Sequence, residues 1–91
     1  MERLIAAAIN FYYEETDTWL IFTGVRHSDI YEQLNQLKIK YDRVKFCVEG
    51  FLTNKGEFVD RYNAKVIALN ANQLIVPEEE TYGELYTEDV W

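Results

Sequence analysis

The chain changes its hydrophobic period within one short stretch, Gly50 to Asn72 (GFLTNKGEFVDRYNAKVIALNAN), and that change restricts the folds open to it. Phe51 and Leu52 close a β-prone run. Asn54-Lys55-Gly56 carries turn chemistry because glycine tolerates positive φ, and Phe58 and Val59 resume an extended segment. The period then becomes helical. Asp60 stands where a helix wants a side-chain acceptor, and Ala64, Ile67, Ala68 and Ala71 recur at i, i+3, i+4 and i+7, which predicts a helix over residues 61–72. Three alanines on that face allow close approach to a sheet. Arg61 falls in the first turn, where free N–H groups and the helix dipole favour an anion, and Phe51 lies one hairpin away. A cation and a flat ring beside a helix start suit a nucleotide; they equally suit a surface residue and a core residue.

Upstream, Leu4–Phe11 is ambiguous by period, since three alanines suit a helix, but its brevity and the segment after it favour a strand. Glu14-Glu15-Thr16-Asp17 reads as a hairpin turn and Thr18–Thr23 as the return strand, ended by Gly24. Ser28 is the expected N-cap of a helix carrying Ile30, Leu34 and Leu37, so Arg26 and His27 precede one helix as Arg61 opens another. Lys38–Asp42 is expected to be a loop. Arg43–Leu52 is expected to be a strand with Val44, Phe46 and Val48 on one face and Lys45, Cys47 and Glu49 on the other. Leu74-Ile75-Val76 is a short apolar run stopped by Pro77. The order β-β-α-β-β-α lacks the βαβ alternation of a doubly wound sheet, so the expected class is α+β, an antiparallel sheet with two helices in a single small domain over residues 1–91.

Charge is unevenly placed. The net value is −7, yet residues 77–91 hold Glu78, Glu79, Glu80, Glu84, Glu88 and Asp89 with no Lys or Arg, whereas residues 24–65 hold eight of the nine basic side chains. A local cationic site is therefore compatible with an acidic chain. The acidic tail also carries Tyr82, Leu85, Tyr86, Val90 and Trp91, which an unanchored solvated tail has no use for, so it is expected to dock on the fold or across a dimer. Seven Tyr, five Phe and two Trp exceed what a core this small takes in, which points to a partner subunit or a ligand.

Cys47 is alone, and no Cys/His spacing suits zinc, so neither a metal nor a disulfide is expected and an intracellular setting is. The N-terminal apolar run is too short for a signal peptide or a membrane span. No G-x-G-x-x-G, Walker loop, G-x-S-x-G or H-E-x-x-H occurs, and a single His limits acid–base schemes, so the chain reads as a binder and not an enzyme, with no cofactor. The residues left for binding are Arg26 and Arg61 for phosphates, Phe51 for stacking and Thr53 and Asn54 for polar edges, with His27 beside Arg26. The bland reading of His27 is an imidazole packed at a strand end.

Three segments, Gly24-x-Arg26-His27-Ser28-Asp29-Ile30, Gly50-Phe51-Leu52-Thr53-x-x-Gly56-x-Phe58-Val59-Asp60-Arg61-x-x-Ala64 and Thr87-Glu88-Asp89-Val90-Trp91, resemble in order and spacing a family of small phage-encoded proteins. That family includes the Thoeris anti-defence proteins of the first type, sponges for cyclic ADP-ribose isomers. The resemblance implies a ligand site at Arg26 and Phe51, with His27 and Arg61 following less directly. It also implies a dimer or an assembly of dimers, action in the host bacterial cytoplasm, and neither long nucleic acid nor membrane as partner. Two positions depart from the family pattern: the helix opens Arg61-Tyr62-Asn63 where acidic residues are expected, and the tail ends Thr-Glu-Asp-Val-Trp in place of Ser-Glu-Asp-Leu-Trp. The competing classes are an acidic phage protein that blocks a host defence protein by direct contact or DNA mimicry, a nucleotide-cleaving enzyme, and an interaction module with no small ligand.

Overall fold

The computed structural model describes residues 1–13, 16–36, 44–81 and 83–91. Strands β1 (Leu4–Tyr13) and β2 (Thr18–Gly24) form the first hairpin, helix α1 (His27–Gln36) crosses the sheet, and β3 (Val44–Thr53) and β4 (Phe58–Asp60) form the second hairpin, which runs directly into helix α2 (Arg61–Asn70). The sheet is four-stranded and antiparallel in the order β2-β1-β3-β4. An α+β fold with two helices on one antiparallel sheet is thus what the period changes demanded. The loop expected over Lys38–Asp42, the turn residues Glu14 and Glu15, and Leu37, Arg43 and Tyr82 lie outside the described residues.

The second hairpin is closed by its own side chains. Gly56 adopts φ +79°, Gly56 N–H donates to Thr53 O, and Thr53 Oγ1 accepts from the amides of Lys55 and Glu57. Gly50 is required for a different reason: a Cβ there would stand 2.0 Å from Val59 O, so only glycine lets β4 pass this close. Asp60 caps α2 by accepting from Asn63 N–H at 2.8 Å. The helix ends two residues earlier than its apolar period suggests, because Asn72 turns left-handed (φ 56°) and Gln73 N–H closes back on Ala68 O. At α1 the expected cap shifts by position. Ser28 lies inside the helix, and Asp29 reaches back to accept from Arg26 N–H while its own N–H donates to Arg26 O.

Both helices cover one face of the sheet. A register shift between Leu4 and Ala6 inverts the alternation of β1, so Leu4 and then Ala7, Ile9 and Phe11 face the helices. Two clusters result. Ile30 and Leu34 of α1 pack on Ala7, Ile9 and Phe11, with Phe22 set edge-on to Phe11. Ala64 and Ala68 of α2 pack with Leu4 and Phe51, and this second cluster is completed by Leu85 and Val90 of the tail, with Trp91 against it. The opposite face carries Ala6, Ala8, Asn10 and Tyr12 of β1, Trp19, Ile21 and Thr23 of β2 and Val48, Gly50 and Leu52 of β3, and among the described residues neither α1 nor α2 packs on it. Of the alternation expected in β3, Val48 thus takes the outer face, and Cys47 and Glu49 share the helix side with Phe51.

Candidate functional site

The segments around Arg26-His27, Gly50–Arg61 and Thr87–Trp91 converge on one network at the end of the sheet where α1 begins, α2 begins and the tail arrives. His27 is buried. Its Nε2 lies 2.7 Å from Gly50 O, and since a carbonyl only accepts, Nε2 carries the proton and donates. Nδ1 is then a lone pair, facing Arg61 Nη2 at 3.4 Å. Burial, with the Arg61 charge adding to it, holds the imidazole below its usual pKa of 6.5. The ring is also packed edge-on to Phe51, 5.5 Å between centroids, and Phe51 meets Trp91 the same way at 5.8 Å.

Both arginines bind the tail. Arg26 Nη2 donates to the main-chain oxygen of Trp91 at 2.6 Å and its Nη1 reaches Thr87 Oγ1 at 3.5 Å, while the Trp91 indole N–H donates to Val25 O. Arg61 Nη1 donates to Leu85 O at 2.6 Å, and Leu85 N–H returns a bond to Arg61 O. Arg61 Nη2 forms an ion pair with Glu49 at 2.8 Å, and the guanidinium lies 4.4 Å over the Tyr86 ring. The tail is further held by Ile75 N–H donating to Asp89 O and by a short 3-10 turn at Thr87–Asp89.

The five residues singled out from sequence therefore fall into distinct places. His27, Phe51 and Thr53 are buried: Phe51 has no exposed ring face, and the Thr53 hydroxyl is spent on the turn. Phe51 and Thr53 as placed present no surface to a ligand in the protomer, because β3 turns both toward the helices. Arg26 is exposed but engaged with the tail. Only Arg61 lines an open cleft. This cleft of about 540 Å³ lies beside β3 where β4, three residues long, has stopped, and its walls are Cys47, Val48, Glu49, Asp60, Arg61, Tyr62, Glu84 and Tyr86.

Sequence reasoning missed Glu49, Tyr62, Glu84 and Tyr86. Tyr62 and Tyr86 are 61% and 44% exposed, so each offers a ring face to solvent. Glu84 raises both phenols: its negative charge acts first on Tyr62, and its hydrogen bond acts first on Tyr86. Cys47 also lies at the cleft, but partial burial pushes its thiol up, away from the reactive thiolate. The unusual Arg-Tyr pair at the start of α2 was the available signal, since a helix opening with two such side chains must set them side by side near the preceding strand.

Residues 3–91 match the family model described as phage T4 y16D protein. The chain belongs to that phage protein family. No curated protein and no solved structure matches it. All three segments of the network fall inside the matched range, and in this family member they dock the tail. Among the described residues no helix is long and apolar enough to cross a membrane, and no group of three or more His, Cys, Asp or Glu is arranged to hold a metal ion.

Proposed function

We propose that this phage protein is an anti-defence sponge that holds a cyclic nucleotide signal, of the cyclic ADP-ribose type, in the host cytoplasm without cleaving it, using the cleft beside α2. The observation that carries this reading is the Arg61 guanidinium stacked on Tyr86 at the wall of an open cleft, with Tyr62 on the same wall. Its volume lies in the usual range for small-molecule sites, about 300–1,000 Å³. Two tyrosine rings offer stacking surfaces for a base, and Glu49, Asp60 and Glu84 offer acceptors for ribose hydroxyls and an exocyclic amine. Three carboxylates against one guanidinium repel phosphate, so the base and ribose enter the cleft and a phosphate is taken only where it displaces Glu49 from Arg61. Binding in preference to turnover agrees with the chemistry of the nearest reactive groups: both nitrogens of His27 are engaged, and the Cys47 thiol is held protonated.

Thermal unfolding with a panel of cyclic ADP-ribose isomers and cyclic oligonucleotides tests this. A saturating ligand at about 100 times its Kd stabilises the fold by about 2.7 kcal/mol. Tyr86→Ala is expected to weaken binding by about 1–3 kcal/mol and Glu49→Gln to strengthen it for phosphate-bearing ligands. Ligand recovered chemically changed makes the protein an enzyme, and an unmoved melting curve across the panel ends the proposal. A second reading is favoured by Glu78, Glu79 and Glu80, all exposed on one short turn: an acidic surface that contacts a host defence protein directly. Its mark is salt-sensitive binding of a basic protein that Tyr86→Ala leaves intact.

A further inference from the structure

We propose that the free edge of β2 is a docking site for an extended segment of another protein, which adds to the four-stranded sheet as a further strand. The segment is apolar at alternate positions and carries Lys or Arg at its ends. The order β2-β1-β3-β4 leaves two edges, and they are guarded differently. β4 is three residues long and ends in Asp60, whereas β2 runs over seven residues, Thr18–Gly24, without Pro, Asp, Glu, Lys or Arg, and pairs with β1 in an unbroken register. Short length, charge, proline and bulges are the devices that keep an edge from pairing, and β2 has none of them. Main-chain groups along a strand point alternately to one side and the other. Thr23 O accepts from Gln33 Nε2 of α1 at 3.2 Å, so Thr23, and with it Ile21 and Trp19 at two-residue steps, direct their main-chain groups away from β1. Gln33 closes the edge at Thr23 O, and the Trp91 indole closes it again at Val25 O. Among the described residues nothing takes the N–H and C=O of Trp19 and Ile21 or the N–H of Thr23.

Those groups fix the backbone of the occupant: a chain in the extended conformation meets donors and acceptors that recur about every 7 Å along one line. The neighbouring side chains fix its character. Residues set opposite Trp19, Ile21 and Thr23 stand on the outer face of the sheet, where Trp19 and Ile21 are 51% and 49% exposed, and apolar side chains there cover both. Next to Thr23 an apolar recess of about 390 Å³, lined by Ile5, Ala6, Thr23, Gly24, Val25 and Trp91, has room for a large side chain. Charge decides between partners. Asp17 precedes the edge, Asp29 lies against Gly24 at its other end, and α1 carries Glu32 as well and no Lys or Arg. Arg26, two residues past the edge, is occupied by Trp91 O. A second copy of this chain brings the same acids and a net charge of −7 to the contact and is repelled, whereas Lys or Arg at the ends of an incoming strand pairs with them. The docking does not depend on the nucleotide reading, because the cleft lies beside β3 and α2 and β2 is the opposite edge of the sheet.

A synthetic peptide of about eight residues, within the usual length of a strand, with Val and Thr alternating between terminal lysines, tests the proposal by amide hydrogen exchange on the full chain. The expected result is saturable protection of the amides of Trp19, Ile21 and Thr23 at peptide concentrations below about 1 mM, while Leu20 and Phe22, already bonded to β1, change little. The same peptide with glutamates in place of the lysines is expected to bind at least about 10-fold more weakly, and a fully N-methylated form not at all. Ile21→Pro removes one outward N–H at a position where an edge strand accepts proline. It is expected to keep the circular dichroism spectrum and to weaken binding of the lysine peptide by about 10-fold or more. No protection at the upper concentration overturns the proposal, and so does equal binding of the glutamate peptide or equal binding by Ile21→Pro. If Ile21→Pro fails to fold, the N-methylated peptide still decides, since protection by it as strong as by its parent means that the contact is not strand addition. Protection of the same amides that grows with protein concentration in the absence of peptide makes the occupant a second copy and overturns the assignment to another protein.

Discussion

The two core clusters differ in what closes them. Under α1, Ile30 and Leu34 are large enough to fill the space above Ala7, Ile9 and Phe11, and one helix completes an apolar cluster by itself. Under α2, the fully buried helix residues are Ala64 and Ala68, which let it lie close to β3 and β4 but add little volume, and Ile67 packs against the cluster only half-buried. Much of the remainder comes from far along the chain, as Leu85, Val90 and Trp91, fastened by Arg26 and Arg61. The comparison teaches that small residues on a helix face are half of a packing solution. They create room, and a segment that reads as an acidic tail occupies it.

Removing residues 84–91 is expected to have the largest effect. It takes away Leu85, Val90 and Trp91, each worth about 1.5–3 kcal/mol of burial, from a domain whose total stability is about 5–14 kcal/mol at its length. Circular dichroism and denaturant unfolding should report loss of the cooperative transition, while a chain that still unfolds cooperatively would make the two clusters equivalent. Next comes Phe51→Ala, expected to cost about 3–5 kcal/mol in urea titration with or without nucleotide, because the ring is enclosed by His27 and Trp91. A smaller loss from Phe51→Ala than from Leu34→Ala would show that the tail fills its cluster loosely.

Arg61→Ala is expected to cost about 1.5–3 kcal/mol through the lost bonds to Glu49 and Leu85, and Arg61→Lys to restore part of it, since a point charge cannot serve both partners as a fork does. Proteolysis at the tail should accelerate in step. The smallest effect is the pH dependence of His27. Its folded pKa is lowered below 6.5, so the unfolded chain binds the proton more readily. Its contribution is fully present above pH 6.5 and is lost as pH falls from there toward the folded value, where Nδ1 is forced to carry a proton against Arg61. His27→Gln should flatten this part of the stability profile measured by urea unfolding, and a profile unchanged by the substitution would remove His27 from the junction's electrostatics.

Much of the fold is legible in the chain because its signals are local. The cap at Asp60, the turn at Gly56 and the helical spacing of Ala64 and Ala68 each act within a few residues, and each is found where its pattern predicts. The site was far less legible. Arg26, Phe51 and Arg61 carry the same residue types whether they meet phosphate, base or protein, and the structure gives them Trp91, His27 and Glu49. Glu49 and Tyr86 escaped notice because an acid in a strand and a tyrosine in a tail have no spacing that marks them.

What the sequence by itself determined is the inventory and class: strands and helices in a given order, their local ends, one small α+β unit, and an acidic tail too apolar to stay in water. Tertiary structure decided which groups meet. A period of two shows that β3 has two faces without saying which one the helices take, and the irregularity between Leu4 and Ala6, hidden among alanines, inverts β1 without any mark in its composition. Arg26 and Trp91 are separated by 65 positions and Arg61 and Leu85 by 24, so no local pattern links them. Their pairing follows from where the sheet carries the ends of two helices, and only in three dimensions do those ends leave a space that the tail alone can fill.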